Sequence, residues 1–209
     1  MDAEASGAAL HAADIDGDGD IEVWVNNLGG SALYNPEFSY LLDNDGIGNL
    51  SVIADVAMPW EIPITGRNGI FPEDLSSGFW SFTVDANGDG HPDLGLGWEP
   101  VLEKNVVLMN DGTGRFLLPE NESYPDPPGY VGPVVERAVV QDISGDGLED
   151  VVLHTSNEDW TLSMIQVLIS NGDGTFRDET ASRFPQESEA RPLEFQFHDL
   201  DNDGHPDFF

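Results

Sequence analysis

DIDGDGDIE (residues 14–22), DANGDGHPD (85–93), DISGDGLED (142–150) and DLDNDGHPD (199–207) are four versions of one nine-residue loop, and their reading decides the fold. Aligned on the first Asp (Asp14, Asp85, Asp142, Asp199), position 3 is Asp16, Asn87, Ser144 or Asp201, and position 5 is Asp18, Asp89, Asp146 or Asp203. Position 9 is Glu22, Asp93, Asp150 or Asp207, so alternate residues carry oxygen. A hard divalent cation such as calcium takes roughly six to eight oxygen ligands, mixing carboxylates, carbonyls and water. One such loop supplies most of that shell. Position 6 is always Gly, and position 4 is Gly17, Gly88, Gly145 or Asn202. Asn is the residue that most readily replaces Gly at positive φ, so backbone and ligand demands coincide. An isolated Asp-Gly pair marks only a hairpin turn. A metal-free turn does not account for acids at positions 1, 5 and 9.

The residues after the loop separate it from the helical EF-hand, which needs a bidentate Glu at position 12. Here position 12 is Val25, Leu96 or Leu153, and position 10 is also apolar, as on one face of a strand. Upstream, residues 79–84 (FWSFTV), 135–141 (VERAVVQ) and 193–198 (LEFQFH) have strand composition. Each loop is therefore read as the turn of a β-hairpin. Downstream lie LLDNDGIGNL (41–50), VLMNDGTGRF (107–116) and VLISNGDGTF (167–176), each an apolar strand, a Gly-x-Gly turn and a second strand. One repeat is then four antiparallel strands, the composition of a propeller blade. The intervals between first Asp residues are 71, 57 and 57 residues. The longer first interval predicts a loop excursion within residues 57–78, and the Pro-rich stretch 119–133 is read as another inter-strand loop.

These loops and their strand context resemble the FG-GAP or VCBS repeat family, whose blades carry an Asp-x-Asp-x-Asp-Gly-x-x-Asp loop between their first two strands. Residues 14–34 also resemble blades found beside ASPIC/UnbV domains. The resemblance implies an all-β fold, a calcium-stabilised β-propeller of four-stranded antiparallel blades related to the integrin α-chain head. Carried over by position, the ligands are Asp14, Asp16, Asp18 and Glu22; Asp85, Asn87, Asp89 and Asp93; Asp142, Ser144, Asp146 and Asp150; and Asp199, Asp201, Asp203 and Asp207. At position 7, Asp20, His91, Leu148 and His205 contribute the backbone carbonyl. Up to four Ca2+ ions are expected, one per loop, with the Ser144 loop weaker than the first. The chain is expected to form a single partial propeller, with blades at 1–75, 76–134 and 135–192 and the start of a fourth at 193–209. That count predicts a fragment of a larger, seven-bladed propeller. The resemblance also implies an extracellular or cell-surface location, an export signal outside this chain, and a protein or glycan partner.

Composition narrows the function. The formal net charge is −33, and four divalent cations would reduce it only to −25, which excludes nucleic acid and anionic membrane as direct partners. There is no Cys, and so neither a disulfide staple nor a thiolate metal site. No His-Glu-x-x-His, Gly-x-Ser-x-Gly or P-loop motif is present, and no enzymatic activity is expected. The spaced carboxylates are accounted for as ligands rather than as a glycosidase pair. Trp24, Trp60, Trp80, Trp98 and Trp160 are read as blade packing rather than sugar platforms. The expected function is a non-catalytic binding or adhesion module braced by calcium. The alternative is an accessory propeller of a larger secreted enzyme acting on polysaccharide or protein.

Overall fold

The computed structural model describes residues 7–27, 40–53, 81–99, 104–127, 134–157, 161, 163–184, 196–203 and 207–208. The excursion expected within 57–78 lies outside the described residues, as do Trp60, Trp80 and Trp160. The fold is all-β. Strands β1 (Gly7–Ala13), β2 (Glu22–Asn27), β3 (Tyr40–Asn44) and β4 (Leu50–Ile53) form the first sheet. Strands β5 (Ser81–Val84), β6 (Asp93–Glu99), β7 (Lys104–Asn110) and β8 (Phe116–Leu117) form the second. Strands β9 (Val134–Gln141), β10 (Asp150–Ser156), β11 (Ser163–Ser170) and β12 (Phe176–Asp178) form the third. A final hairpin pairs β13 (Phe197–His198) with β14 (Asp207–Phe208). Each four-stranded sheet is an antiparallel meander in chain order, the strand order of a propeller blade.

Register places the acidic loops. Position 9 is the first residue of the second strand in every repeat and pairs with the residue just before position 1. These pairs are Ala13↔Glu22, Val84↔Asp93, Gln141↔Asp150 and His198↔Asp207. Glycine turns close the second hairpins, as Asn44↔Leu50, Asn110↔Phe116 and Ser170↔Phe176 show. Asn202 takes φ 62°, the left-handed value of its glycine counterparts at position 4, such as Gly17 at 76°. A short amide side chain meets the same backbone demand.

Burial holds successive sheets face to face. Ile15 and Trp24 of the first repeat pack with Leu94, Leu96, Val106, Leu108 and Phe116 of the second. Phe82, Val84 and Val107 of the second pack with Val135, Val151, Leu153, Leu168 and Phe176 of the third. On the third sheet's other face, Val152, Ile165, Val167 and Ile169 meet Phe184 and, from the fourth repeat, Phe197. Each layer joins one sheet to the next, so no sheet has a core of its own. Burying a side chain of this size contributes about 1.5–3 kcal/mol, which is why one repeat alone is a poor folding unit.

The segment after β8 is tucked between the second and third sheets. Ser123 Oγ accepts from Val107 N–H (2.9 Å), Ser123 N–H donates to Asn105 O (2.9 Å), and Ser123 O accepts from Phe176 N–H (2.8 Å). Tyr124 is 2% exposed, packs in the same layer as Phe82, and donates its hydroxyl to Leu96 O (2.9 Å). The loop read at 119–133 thus carries an inter-sheet plug in its described part. A four-residue helix, α1 (Thr180–Arg183), follows β12 and fixes its turn by Thr180 Oγ1 accepting from Val167 N–H (2.8 Å). No helix among the described residues is long and apolar enough to cross a membrane.

Candidate cation-binding loops

Within each loop the carboxylates first organise their own backbone. The position-1 Asp accepts two N–H groups: Gly17 and Gly19 on Asp14 (2.8 and 3.2 Å), Asp89 and Gly90 on Asp85 (3.0 and 2.9 Å), Gly145 and Gly147 on Asp142 (2.7 and 2.9 Å). Positions 3 and 5 accept from the residue two further on, as in Asp18 N–H to Asp16 (3.2 Å) and Asp20 N–H to Asp18 (2.9 Å). The same bonds recur at Asn87, Asp89, Asp146 and Asp201. These are Asx turns in series, the local chemistry that bends an Asp-rich segment around a point. Side chains at positions 1, 3 and 5 converge. Asp14, Asp16 and Asp18 place carboxylate oxygens within 4.8 Å of one another, as do Asp199, Asp201 and Asp203. In the second and third loops, position 3 supplies the Asn87 amide or the Ser144 hydroxyl, and Ser144 Oγ lies 3.4 Å from Asp142 Oδ1.

Position 9 sits apart from these convergent groups. Glu22, Asp93 and Asp150 are all at most 1% exposed, and one carboxylate oxygen accepts the position-2 N–H of the same loop. The donors are Ile15 (2.8 Å), Ala86 (3.0 Å) and Ile143 (3.0 Å), with Leu200 to Asp207 (2.9 Å) in the fourth loop. The other oxygen of Asp93 accepts from Asn110 N–H (2.7 Å), and that of Asp150 from Ser170 N–H (2.9 Å). Position 9 therefore ties the loop to the third strand of its sheet. Glu22 differs, since its Oε1 is buried with no hydrogen-bond partner among the described residues.

Position 7 has a second use. A Cβ on Gly46 would meet the Asp20 carboxylate, one on Gly112 the His91 ring (2.6 Å to Nε2), and one on Gly172 the Leu148 side chain (3.1 Å). The position-7 side chain thus lies on the glycine turn of its own sheet, where glycine's missing side chain makes room. His205, with residues 204–206, lies outside the described residues.

Electrostatics follow from this crowding. Burial raises the Asp16 carboxyl above its ordinary range, and the charges of Asp18, Asp14 and Asp43 add to the rise. Burial raises Glu22 likewise, assisted by Asp16 and Asp18 and opposed by the Ile15 N–H. Burial pushes Asp93 up to about 6 against the lowering effect of its Asn110 and Ala86 hydrogen bonds. Asp89 is held low, chiefly by the Asn87 amide. Carboxylate oxygens 4.8 Å apart repel by roughly 1 kcal/mol per pair even at the dielectric of water. A bound cation reverses that sign.

The sequence did not single out Asn110 and Ser170, the residues that end the third strands. Their signal was a short polar residue two places before the first glycine of each Gly-x-Gly turn, with Asn44 the first instance. In each case its side chain caps that glycine's N–H: Asn44 to Gly46 (3.2 Å), Asn110 to Gly112 (3.0 Å), Ser170 to Gly172 (3.1 Å).

Four-stranded meanders joined face to face, each opened by an acidic hairpin loop, define a propeller-type repeat protein. Residues 142–209, from the third acidic loop onward, match the family model described as an FG-GAP-like repeat. The first two sheets have the same meander order as the third. No curated protein matches the chain.

Proposed function

We propose that the chain is a non-catalytic, calcium-braced propeller module that mediates extracellular protein or glycan binding. The observation that carries the calcium part is the first loop. Three carboxylates converge within 4.8 Å, and in the same loop a buried carboxylate oxygen, Glu22 Oε1, has no hydrogen-bond partner among the described residues. Hard oxygen donors in alternate positions suit Ca2+ rather than a thiolate- or imidazole-seeking metal. Asp14, Asp16 and Asp18 would hold the ion, and the loop pattern adds the Asp20 carbonyl and Glu22 to its shell. The ion supplies charge neutralisation for the loop. The chain's own residues do the rest: Asx turns aim the oxygens, and the position-9 carboxylates anchor each loop to its sheet.

The binding role rests on the FG-GAP-like match and on the concentration of acidic side chains in hairpin loops. An extracellular setting fits sites of this kind, whose expected affinity is roughly 10⁻⁴–10⁻³ M. The test is calorimetric titration with calcium, followed by a thermal melt in calcium and in EGTA. Calcium at tenfold its dissociation constant contributes about 1.4 kcal/mol per site. For a domain of this size, 1 kcal/mol moves the melting temperature by roughly 2–4 °C. No heat of binding at millimolar calcium, together with unchanged melts, would remove the calcium reading. A glycan array and a pull-down from surface extracts, each with and without calcium, test the binding role.

A further inference from the structure

Position 2 of each loop lies between ligand positions 1 and 3, and in the first two loops its peptide is gripped from both sides. In the first loop, Ile15 N–H donates to its own Glu22, while Ile15 O accepts from Asn110 Nδ2 of the next sheet at 2.7 Å. In the second loop, Ala86 N–H donates to Asp93, while Ala86 O accepts from Gly174 N–H (3.2 Å) and Ser170 Oγ (3.4 Å) of the third sheet. Ile15 and Ala86 are 2% and 0% exposed, so water does not substitute for these bonds. The grips join end to end. Ile15 O meets Asn110, Asn110 N–H meets Asp93, Asp93 meets Ala86 N–H, Ala86 O meets Ser170, Ser170 N–H meets Asp150, and Asp150 meets Ile143 N–H. Asn110 Nδ2 also holds Pro92 O in the second loop (3.1 Å), and Glu149 of the third loop accepts from Asp85 N–H of the second (2.7 Å).

We propose that Asn110 and Ser170 are positioning residues that couple cation binding between successive loops, so that the first three loops fill as linked sites. This deepens the calcium reading and rests on it. An ion that orders positions 1 to 5 of the second loop also fixes Ala86 and, through the hairpin it closes, Asp93. Asp93 fixes the end of β7, and the Asn110 amide then presents an ordered partner to Ile15 between Asp14 and Asp16. The first loop thereby loses less freedom when it binds, which is positive coupling by shared ordering. Linkage makes the effect reciprocal.

The test uses the whole chain in 0.3 M KCl, which screens direct repulsion between loops. Calcium is titrated while the Gly17 and Gly19 amides are followed by NMR, giving the affinity of the first loop alone. Asp89→Asn disables the second loop, and the first loop's affinity is expected to fall about fivefold, the low end of allosteric couplings. With Asn110→Ser, the residue type that the third repeat carries there, the first loop is already weakened and Asp89→Asn changes it less than 1.5-fold. The parallel cycle, Ser170→Ala with Asp146→Asn read at Gly88 and Gly90, is expected to show a roughly twofold link because Gly174 N–H remains on Ala86 O. An Asp89→Asn effect that is absent with Asn110 in place, or that persists after Asn110→Ser, overturns the coupling. Failure of Gly17 and Gly19 to respond at 10 mM calcium in the unmodified chain instead overturns the calcium reading.

Discussion

Replacing Asp150 separates the two jobs a position-9 carboxylate can have. Its side chain is buried and accepts Ile143 N–H at 3.0 Å, Ser144 N–H at 2.9 Å and Ser170 N–H at 2.9 Å. Asp150→Ala orphans all three donors. The Ser170 N–H is buried, so its unmet hydrogen bond costs about 1–3 kcal/mol; Ile143 and Ser144 are half-buried and recover part of theirs from water. Removing a buried charge returns some desolvation energy. The net loss is about 3 kcal/mol, a large share of the roughly 5–15 kcal/mol that holds a domain together. Asp150→Asn keeps one acceptor oxygen but turns an NH2 toward the remaining donors, and a loss of about 2 kcal/mol is expected. The assay is urea denaturation followed by tryptophan fluorescence and far-UV circular dichroism, first in EGTA. A loss below 1 kcal/mol for Asp150→Ala in EGTA would refute the anchoring role. The same measurement in calcium then isolates ligation, because a residue that also binds the ion loses more stability in calcium than in EGTA.

Other consequences follow from the same packing. Gly95 faces Phe82 across the β5–β6 pair, and a Cβ there would enter the Phe82 ring; Gly95→Ala is expected to lower stability by about 1–3 kcal/mol in urea denaturation. Tyr124→Phe removes the bond to Leu96 O and should cost about 1 kcal/mol, whereas Tyr124→Ala empties the inter-sheet plug and should cost about 3–5 kcal/mol. Ser144→Asp restores a carboxylate to the third loop and should tighten its calcium affinity severalfold by calorimetry, while raising repulsion with Asp142 and Asp146 in EGTA. In chelated protein, a carboxyl-detected NMR titration should find Asp93 midway near pH 6 rather than 3.8. Because its folded pKa is raised, Asp93 favours the fold fully below pH 3.8, and about 3 kcal/mol is lost as pH rises through 6. A midpoint below pH 4.5 would contradict the dominance of burial at this site.

The repeat was legible because its demands are local. Asx turns, left-handed glycines and an apolar position 10 follow from residues within one loop, and the left-handed Asn202 follows from the same local demand. Strand β1 was harder. GAALHAA has the alanines of a helix, and only its place ahead of the first acidic loop marks it as a strand; pairing of Leu10 with Val25 and His11 with Trp24 imposes the extended geometry. The buried Ser123–Tyr124 plug was likewise hidden, since a Pro-rich run looks like surface until two sheets close on it. In the site, the convergence of positions 1, 3 and 5 was readable from alternation. The separate placement of position 9 was not, because its partners Asn110 and Ser170 stand 17 and 20 residues downstream.

The shared peptide at position 2 has a consequence for how such arrays are cut and copied. Sequence periodicity sets the boundary before each first strand, but the loop at the head of one repeat is finished by the second hairpin of the next. The copied unit and the mechanically complete unit are out of phase by half a repeat. Excising one repeat at its sequence boundaries leaves a head with no clasp and a clasp with no head. A transplant that keeps function must carry its acidic loop together with the following sheet's β7- or β11-type strand and glycine turn.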